Sequence, residues 1–270
     1  MSRFPYKSAS GGSVLGMLGL AAILSITTIC VAEAHQPPDM PRTLKVPVNA
    51  FPPWIVADNT GIHGIDIDIL NAVGGKTGLR FQYIECPWLR CLRLMEGGAG
   101  DLMSGLFRSP ERERYMIFID PPYYRDPPKV FYTLADSQKS IQKYDDLKGL
   151  SIGVVAGTLY FPRFDNDAQL EKQVFHEEPQ LVRLLDAGRL DTFISTEVEA
   201  DILIEKVGLT GRFRKSVLED AESGESYFAL SRLSKHQDLA KPIADAIRQL
   251  KESGELDRII HKGLGESPPQ

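Results

Sequence analysis

The chain has 270 residues, 43% hydrophobic and 25% charged, ordinary globular values that exclude disorder, a collagen-like fibre and a polytopic membrane protein. Lys and Arg number 31 against 36 Asp and Glu, a formal charge of −5 with no basic stripe, which argues against a nucleic-acid partner. Three cysteines are too few for a disulfide scaffold or a cysteine-built structural zinc site.

Arg3 and Lys7 precede an apolar run over residues 14–24, and Ala32-Glu33-Ala34 has the small-x-small form that a signal peptidase cuts. Residues 1–34 therefore read as a signal peptide, the mature chain as starting near His35, and its location as the periplasm. An uncleaved anchor over 14–31 is the competing reading, at the short limit of the roughly 20 apolar residues a spanning helix needs. Leu44 to Val48 alternates as a strand, with Pro47 suited to an edge. Phe51-Pro52-Pro53-Trp54 reads as a rigid aromatic loop, 58–61 as a turn, and 67–73 as a helix stopped by Gly74-Gly75. A strand over 79–84 leads to a helix opening at Pro87, with Leu89, Leu92 and Met95 on its buried face. Strands follow at 101–103, 115–119 and 129–134, then a polar linker over 135–143. In the second half, a strand at 151–155 is turned by Ala156-Gly157-Thr158 into a helix. Helices at 180–185 and 199–207, strands at 191–194 and 226–230, and helices at 239–250 and 256–260 complete the chain. Such alternation implies an α/β architecture with largely parallel sheets.

A set of fragments in fixed order carries a resemblance. It begins with Phe51-Pro52-Pro53-Trp54, Gly64-Ile65-Asp66-Ile67-Asp68, Glu96-Gly97 with Asp101, Ser109-Pro110-Glu111-Arg112 and Asp120-Pro121-Pro122-Tyr123-Tyr124. It continues through the segment 144–150, Val155-Ala156-Gly157-Thr158, the segment 185–191 and Ser253-Gly254-Glu255-Leu256. From about Leu44 to Gly265 the chain resembles the family 3 extracellular solute-binding proteins, which deliver amino acids and other small polar solutes to ABC importers. The resemblance implies a two-lobed periplasmic-binding-protein type II fold, with mixed, mainly parallel sheets flanked by helices and two crossover strands. Lobe one would comprise 42–134 and 226–265, and lobe two 135–225. It also implies a monomer without cofactor or metal that closes over a small-molecule solute and presents it to an ABC permease. Two rivals share the scaffold: a periplasmic enzyme resembling the cyclohexadienyl dehydratases, with Glu197 or Glu199 as acid, and a ligand sensor for a membrane receptor.

The same resemblance points to ligand-binding residues. Arg112 matches the position that grips a ligand carboxylate, a task suited to a planar guanidinium; otherwise it is a surface arginine among Arg108, Glu111, Glu113 and Arg114. Phe51 and Trp54 would line the cleft from lobe one, or anchor their own loop. Trp88 is a contact or a core residue at a helix start. Gly157 and Thr158 would offer N–H groups at a strand-to-helix turn, or form a plain turn. Tyr123 and Tyr124 read as strand and cleft-wall packing. Two positions depart from the amino-acid-binding pattern. Phe107, two residues after Gly105, replaces a Thr or Ser, and Ser195-Thr196 stands where an acidic residue holds the ligand ammonium, leaving Glu197 or Glu199 to supply it.

Cys86 and Cys91 can pair if Cys86 lies just before the helix and Cys91 inside it, which an oxidising compartment favours. Their spacing and the lack of a third ligand argue against zinc. His176-Glu177-Glu178-Pro179 reads as a polar loop, and Ser140-Ile141-Gln142-Lys143 lacks the companion motifs of Ser-x-x-Lys enzymes. No catalytic residue is assigned.

Overall fold

In a computed structural model the described residues are 42–218 and 224–266. Residues 1–34, read above as a signal peptide, lie outside them, and no described helix is long and apolar enough to cross a membrane. Strand β1 (Thr43–Val48) buries Leu44, Val46 and Val48 as its alternation predicts. The turn at 59–60 closes a small hairpin of β2 (Val56–Asp58) and β3 (Gly61–His63). Helix α1 (Ile65–Thr77) buries Ile65, Ile69, Leu70 and Val73. It runs through Gly74-Gly75 and ends only at Gly78, whose positive φ of 70° allows its N–H to reach the Gly74 carbonyl. Gly74 has another use: a Cβ there would lie 2.9 Å from the Leu79 carbonyl oxygen, so glycine lets the helix approach the next strand.

That strand, β4 (Arg80–Glu85), pairs parallel with β1 from Thr43↔Arg80 to Val48↔Glu85. Helix α2 (Trp88–Glu96) follows Pro87; Cys86 precedes it, Cys91 lies within it, and the two are disulfide-bonded with Cα atoms 5.5 Å apart. Then come β5 (Leu102–Phe107), the single turn α3 (Pro110–Glu113) and the long β6 (Met116–Arg125). Asp101 joins β5 to β1, its N–H donating to the Lys45 carbonyl and its carboxylate accepting from the Lys45 N–H.

The chain then enters a second sheet. Its elements are β7 (Val130–Leu134), β8 (Ser151–Val155), α4 (Pro162–Asn166), β9 (Glu171–Phe175), α5 (Glu178–Asp186), β10 (Thr192–Ser195), α6 (Glu197–Lys206) and β11 (Phe213–Val217). The strand order is β11-β7-β10-β8-β9, with β8 parallel to β9 and β10, and β7 antiparallel to β10 and β11. Strand pairing thus carries 130–134, grouped above with the first part of the chain, into this sheet. Val130 and Tyr132 pack with Leu181, Leu185 and Phe193 on one face, while Phe131 packs with Ile152, Phe164 and Ile194 on the other.

Strand β12 (Glu225–Ser231) returns to the first sheet and lies between β5 and β6, antiparallel to both. The chain therefore passes twice between lobes, after β6 and before β12, and the passages are bonded by the Asp126 N–H to the Gly224 carbonyl at 2.9 Å. Helices α7 (Ala240–Glu252) and α8 (Glu255–Leu264) close the first lobe, burying Ile243, Ile247, Leu250, Leu256 and Ile260 in the cluster that holds α1. The fold is a two-lobed type II binding-protein fold with mixed sheets. Antiparallel pairing reaches further than helix alternation suggests. Strands β7 and β12 are entered from the other lobe rather than through a packed crossover helix, so nothing holds them parallel to their neighbours.

Candidate functional site

A cavity of ≈ 790 Å³ is walled by residues of both lobes. The aromatic loop forms part of its first-lobe face. Main-chain bonds Phe51 N–H to Ile55 O (2.7 Å) and Ile55 N–H to Phe51 O (3.1 Å) close the loop. The N–H groups of Ile65 and Asp66, at the start of α1, donate to the carbonyls of Pro53 and Trp54. This docking needs Gly64, whose φ is +120° and where a Cβ would lie 2.5 Å from the Trp54 carbonyl oxygen. Trp54 is only 7% exposed, packs on Tyr124 at 4.5 Å between ring centroids, and donates its indole N–H to Glu199 of lobe two at 2.5 Å. Phe51 stands at the cavity wall, 38% exposed.

Arg112 is no surface residue. Ser109 caps its short helix by accepting the Arg112 N–H, and the guanidinium points into the cavity with the residue 5% exposed. It donates to the Phe107 carbonyl at 2.9 Å and to the Gly157 carbonyl at 3.0 Å, and its centre lies 5.5 Å from the Trp88 ring. Among the described residues no carboxylate lies within 4.0 Å of it, whereas its neighbour Arg108 pairs with Asp120 at 2.9 Å. Burial pulls the Arg112 pKa down to about 10, outweighing the opposing pull of Tyr115, Glu111 and Asp165, none of which pairs with it directly.

Of the two readings left open for Gly157 and Thr158, the geometry matches the plain turn. No helix begins there: the Thr158 N–H is used within its own turn, donating to Val155 O, and the helix α4 starts later, after Phe161. Thr158 lines the cavity, while Gly157 offers its carbonyl to Arg112. Gly157 also abuts α2, since a Cβ on it would lie 2.7 Å from the Leu89 side chain and 3.5 Å from the Trp88 indole nitrogen. Trp88 is both packing and wall; its N–H is buried and has no partner among the described residues.

Gly105, with φ +68°, donates its N–H to the Tyr123 hydroxyl at 3.0 Å, and that hydroxyl donates to Asp66 at 2.9 Å. Ser104 also hydrogen-bonds Asp66, and burial pushes the Asp66 carboxyl up to about 7. Tyr123 is thus more than wall packing.

The two departures, Phe107 and Thr196, meet at a residue the sequence reading passed over. Lys129 directs its ammonium into the cavity wall, where it donates to Thr196 Oγ1 at 2.7 Å and lies 4.9 Å from the Phe107 ring centre. Asp126, which accepts from Ser226 Oγ at 2.6 Å, is 3.8 Å away. Of the two glutamates left open, Glu197 pairs with Lys215 at 2.6 Å on the surface. Glu199 is 4% exposed and lines the cavity, and its Oε2 has no partner among the described residues. Burial raises its pKa. The polar loop supplies a further wall residue, Glu178, which accepts from the Ser195 hydroxyl and is pushed by burial up to about 7. Among the described residues no group of three His, Cys, Asp or Glu is placed to hold a metal.

A largely apolar cavity with a few convergent polar groups, shared by two lobes that are bonded to each other across it, is the arrangement of a binding protein that encloses a small solute. A profile of the bacterial extracellular solute-binding proteins, family 3, matches residues 44–266, and the chain belongs to that family. It is 24% identical over 234 residues to a probable histidine-binding protein of Neisseria gonorrhoeae, covering 82% of each chain. Among solved structures, the substrate-binding protein of an amino acid ABC transporter matches at TM-score 0.70 and 23% identity, over 83% of this chain and 100% of that one. A histidine kinase sensor domain similar to periplasmic binding proteins matches at TM-score 0.72 and 19% identity, over 85% and 99%.

Proposed function

We propose that this protein captures a carboxylate-bearing solute of amino-acid size outside the cytoplasm and presents it, enclosed, to an ABC permease. The carrying observation is Arg112: a buried guanidinium that, among the described residues, is bonded only to neutral carbonyls, in a cavity large enough for such a molecule. A guanidinium has five N–H donors, and two of its bonds are accounted for by Phe107 and Gly157. A ligand carboxylate would take remaining donors in a charge-assisted pair and restore the compensation that burial removed. The solute-binding family and a relative named for histidine support a small polar ligand.

Closure follows from the same contacts. Arg112 belongs to the first lobe and Gly157 to the second; so do Trp54 and Glu199. A ligand bridging them binds the closed form better than the open one and shifts the population toward it. We assign 42–125 and 225–266 to the first lobe and 130–218 to the second, with 126–129 as a hinge. Ligand contacts are assigned to Arg112, Trp54, Trp88, Phe107, Thr158 and Thr196, with Phe51 at the wall and Gly105 and Gly157 shaping the backbone. The role is binding without catalysis, by a monomer.

A thermal-shift screen against amino acids, hydroxy acids, dicarboxylates, polyamines and sugars tests this reading. A carboxylate ligand raises the midpoint in proportion to the logarithm of its concentration over Kd. Arg112→Ala should weaken binding by about 100-fold or more, the ~3 kcal/mol scale of a buried charge losing its partner. Undiminished affinity in a folded Arg112→Ala protein would remove the carboxylate grip.

A further inference from the structure

The cleft already contains an ammonium group. Lys129 comes from the passage between the lobes, is buried, and makes one hydrogen bond among the described residues, to Thr196. Asp126 at 3.8 Å is an ion-pair partner beyond hydrogen-bonding distance. An ammonium carries three donors, so two remain for whatever fills the cavity. Its positive charge also favours the ionised forms of the wall carboxyls Asp126, Glu178 and Glu199. Those carboxyls share a tethered cation, whereas Arg112 has no acidic partner within ion-pair distance among the described residues.

A ligand that brought its own ammonium to this wall would set it beside Lys129, and like charges at close range repel. An oxygen in that place has the opposite chemistry. It accepts from Lys129, and if it is a hydroxyl it can in turn donate a hydrogen bond to the open Glu199 Oε2. We propose that the solute is a 2-hydroxy or 2-oxo carboxylic acid rather than the corresponding α-amino acid, with Arg112 holding its carboxylate and Lys129 reading the oxygen on the neighbouring carbon. The proposal rests on the reading of the cleft as a carboxylate site. Thr196 and Phe107 then have a common purpose: one accepts a bond from the lysine, and the other offers its ring face to the same charge.

Calorimetric titration with matched sets tests it: L-glutamate, 2-oxoglutarate and 2-hydroxyglutarate; L-alanine, pyruvate and lactate; L-phenylalanine, phenylpyruvate and phenyllactate. In at least one set the hydroxy or oxo acid should bind ten-fold or more tightly than the amino acid. Lys129→Gln, which keeps a donor for Thr196, should erase that preference, and Lys129→Met, which keeps the volume, provides a second folded test. Amino acids binding as tightly as their deaminated partners, a preference that survives loss of Lys129, or no binding in any set would each overturn the proposal. Amino acids bound in an Arg112-dependent way would sink this inference while leaving the carboxylate-capture reading intact.

Discussion

Asp66 and Glu178 show how single residues tie the cleft to the fold's stability. Each carboxyl lies in the cavity wall, Asp66 in a buried residue and Glu178 in a half-buried one, and is hydrogen-bonded by hydroxyls, Asp66 by Tyr123 and Ser104, Glu178 by Ser195. Burial raises Asp66 from 3.8 and Glu178 from 4.5 to about 7. A carboxyl with a raised folded pKa contributes most below its unfolded value, and that contribution is lost as pH rises through the folded value. The thermal midpoint of the ligand-free protein should therefore fall between about pH 5 and pH 8. Asp66→Asn should flatten this slope, the loss it removes being on the order of 3 kcal/mol. The exposed Asp58, lowered to about 2, acts in more acidic solution and does not cancel the trend. A midpoint that rises over this window, or an Asp66→Asn protein with an unchanged slope, would contradict the assignment.

At the scale of elements, the glycine before α1 decides where the aromatic loop sits. Gly64→Ala would require a non-glycine residue at φ +120° and push a methyl against the Pro53 and Trp54 carbonyls. A loss of about 3 kcal/mol in urea unfolding is expected; a loss below ~0.5 kcal/mol would mean that the loop tolerates another seat. Elements with a buried face are those the sequence displays: β1, α1, β8, β10 and β12 follow their hydrophobic spacing. Strands β9 and β11 escape the same reading because they are sheet edges. Their residues are mostly polar, and even Val174 is 63% exposed, so no alternation marks them. Gly74-Gly75 misleads in the opposite sense, since glycine ends helices but also admits close neighbours. The site divides along similar lines. Arg112, Trp54, Phe107 and Thr196 stand in local motifs and can be singled out from them. Lys129, Asp126 and Glu178 matter only because separate segments converge, and a lysine before an apolar strand carries no local mark of burial.

At the scale of the molecule, the described residues of the two lobes meet through bonds across the cleft: Trp54 to Glu199 and Arg112 to the Gly157 carbonyl, with Lys129 of the passage reaching Thr196. All three use side chains with capacity left for a ligand, namely Glu199, Arg112 and Lys129, so solute and closure draw on the same groups. Closure is accordingly expected to depend on the solute, with the hinge at 126–129 absorbing motion. Small-angle X-ray scattering of the native protein and of Arg112→Ala, each with and without the best ligand from the screen, tests this most directly. A smaller radius of gyration is expected for the native protein with ligand, and no contraction of Arg112→Ala at the same concentration. A saturated native protein with unchanged dimensions, or an Arg112→Ala protein that contracts equally, would contradict it.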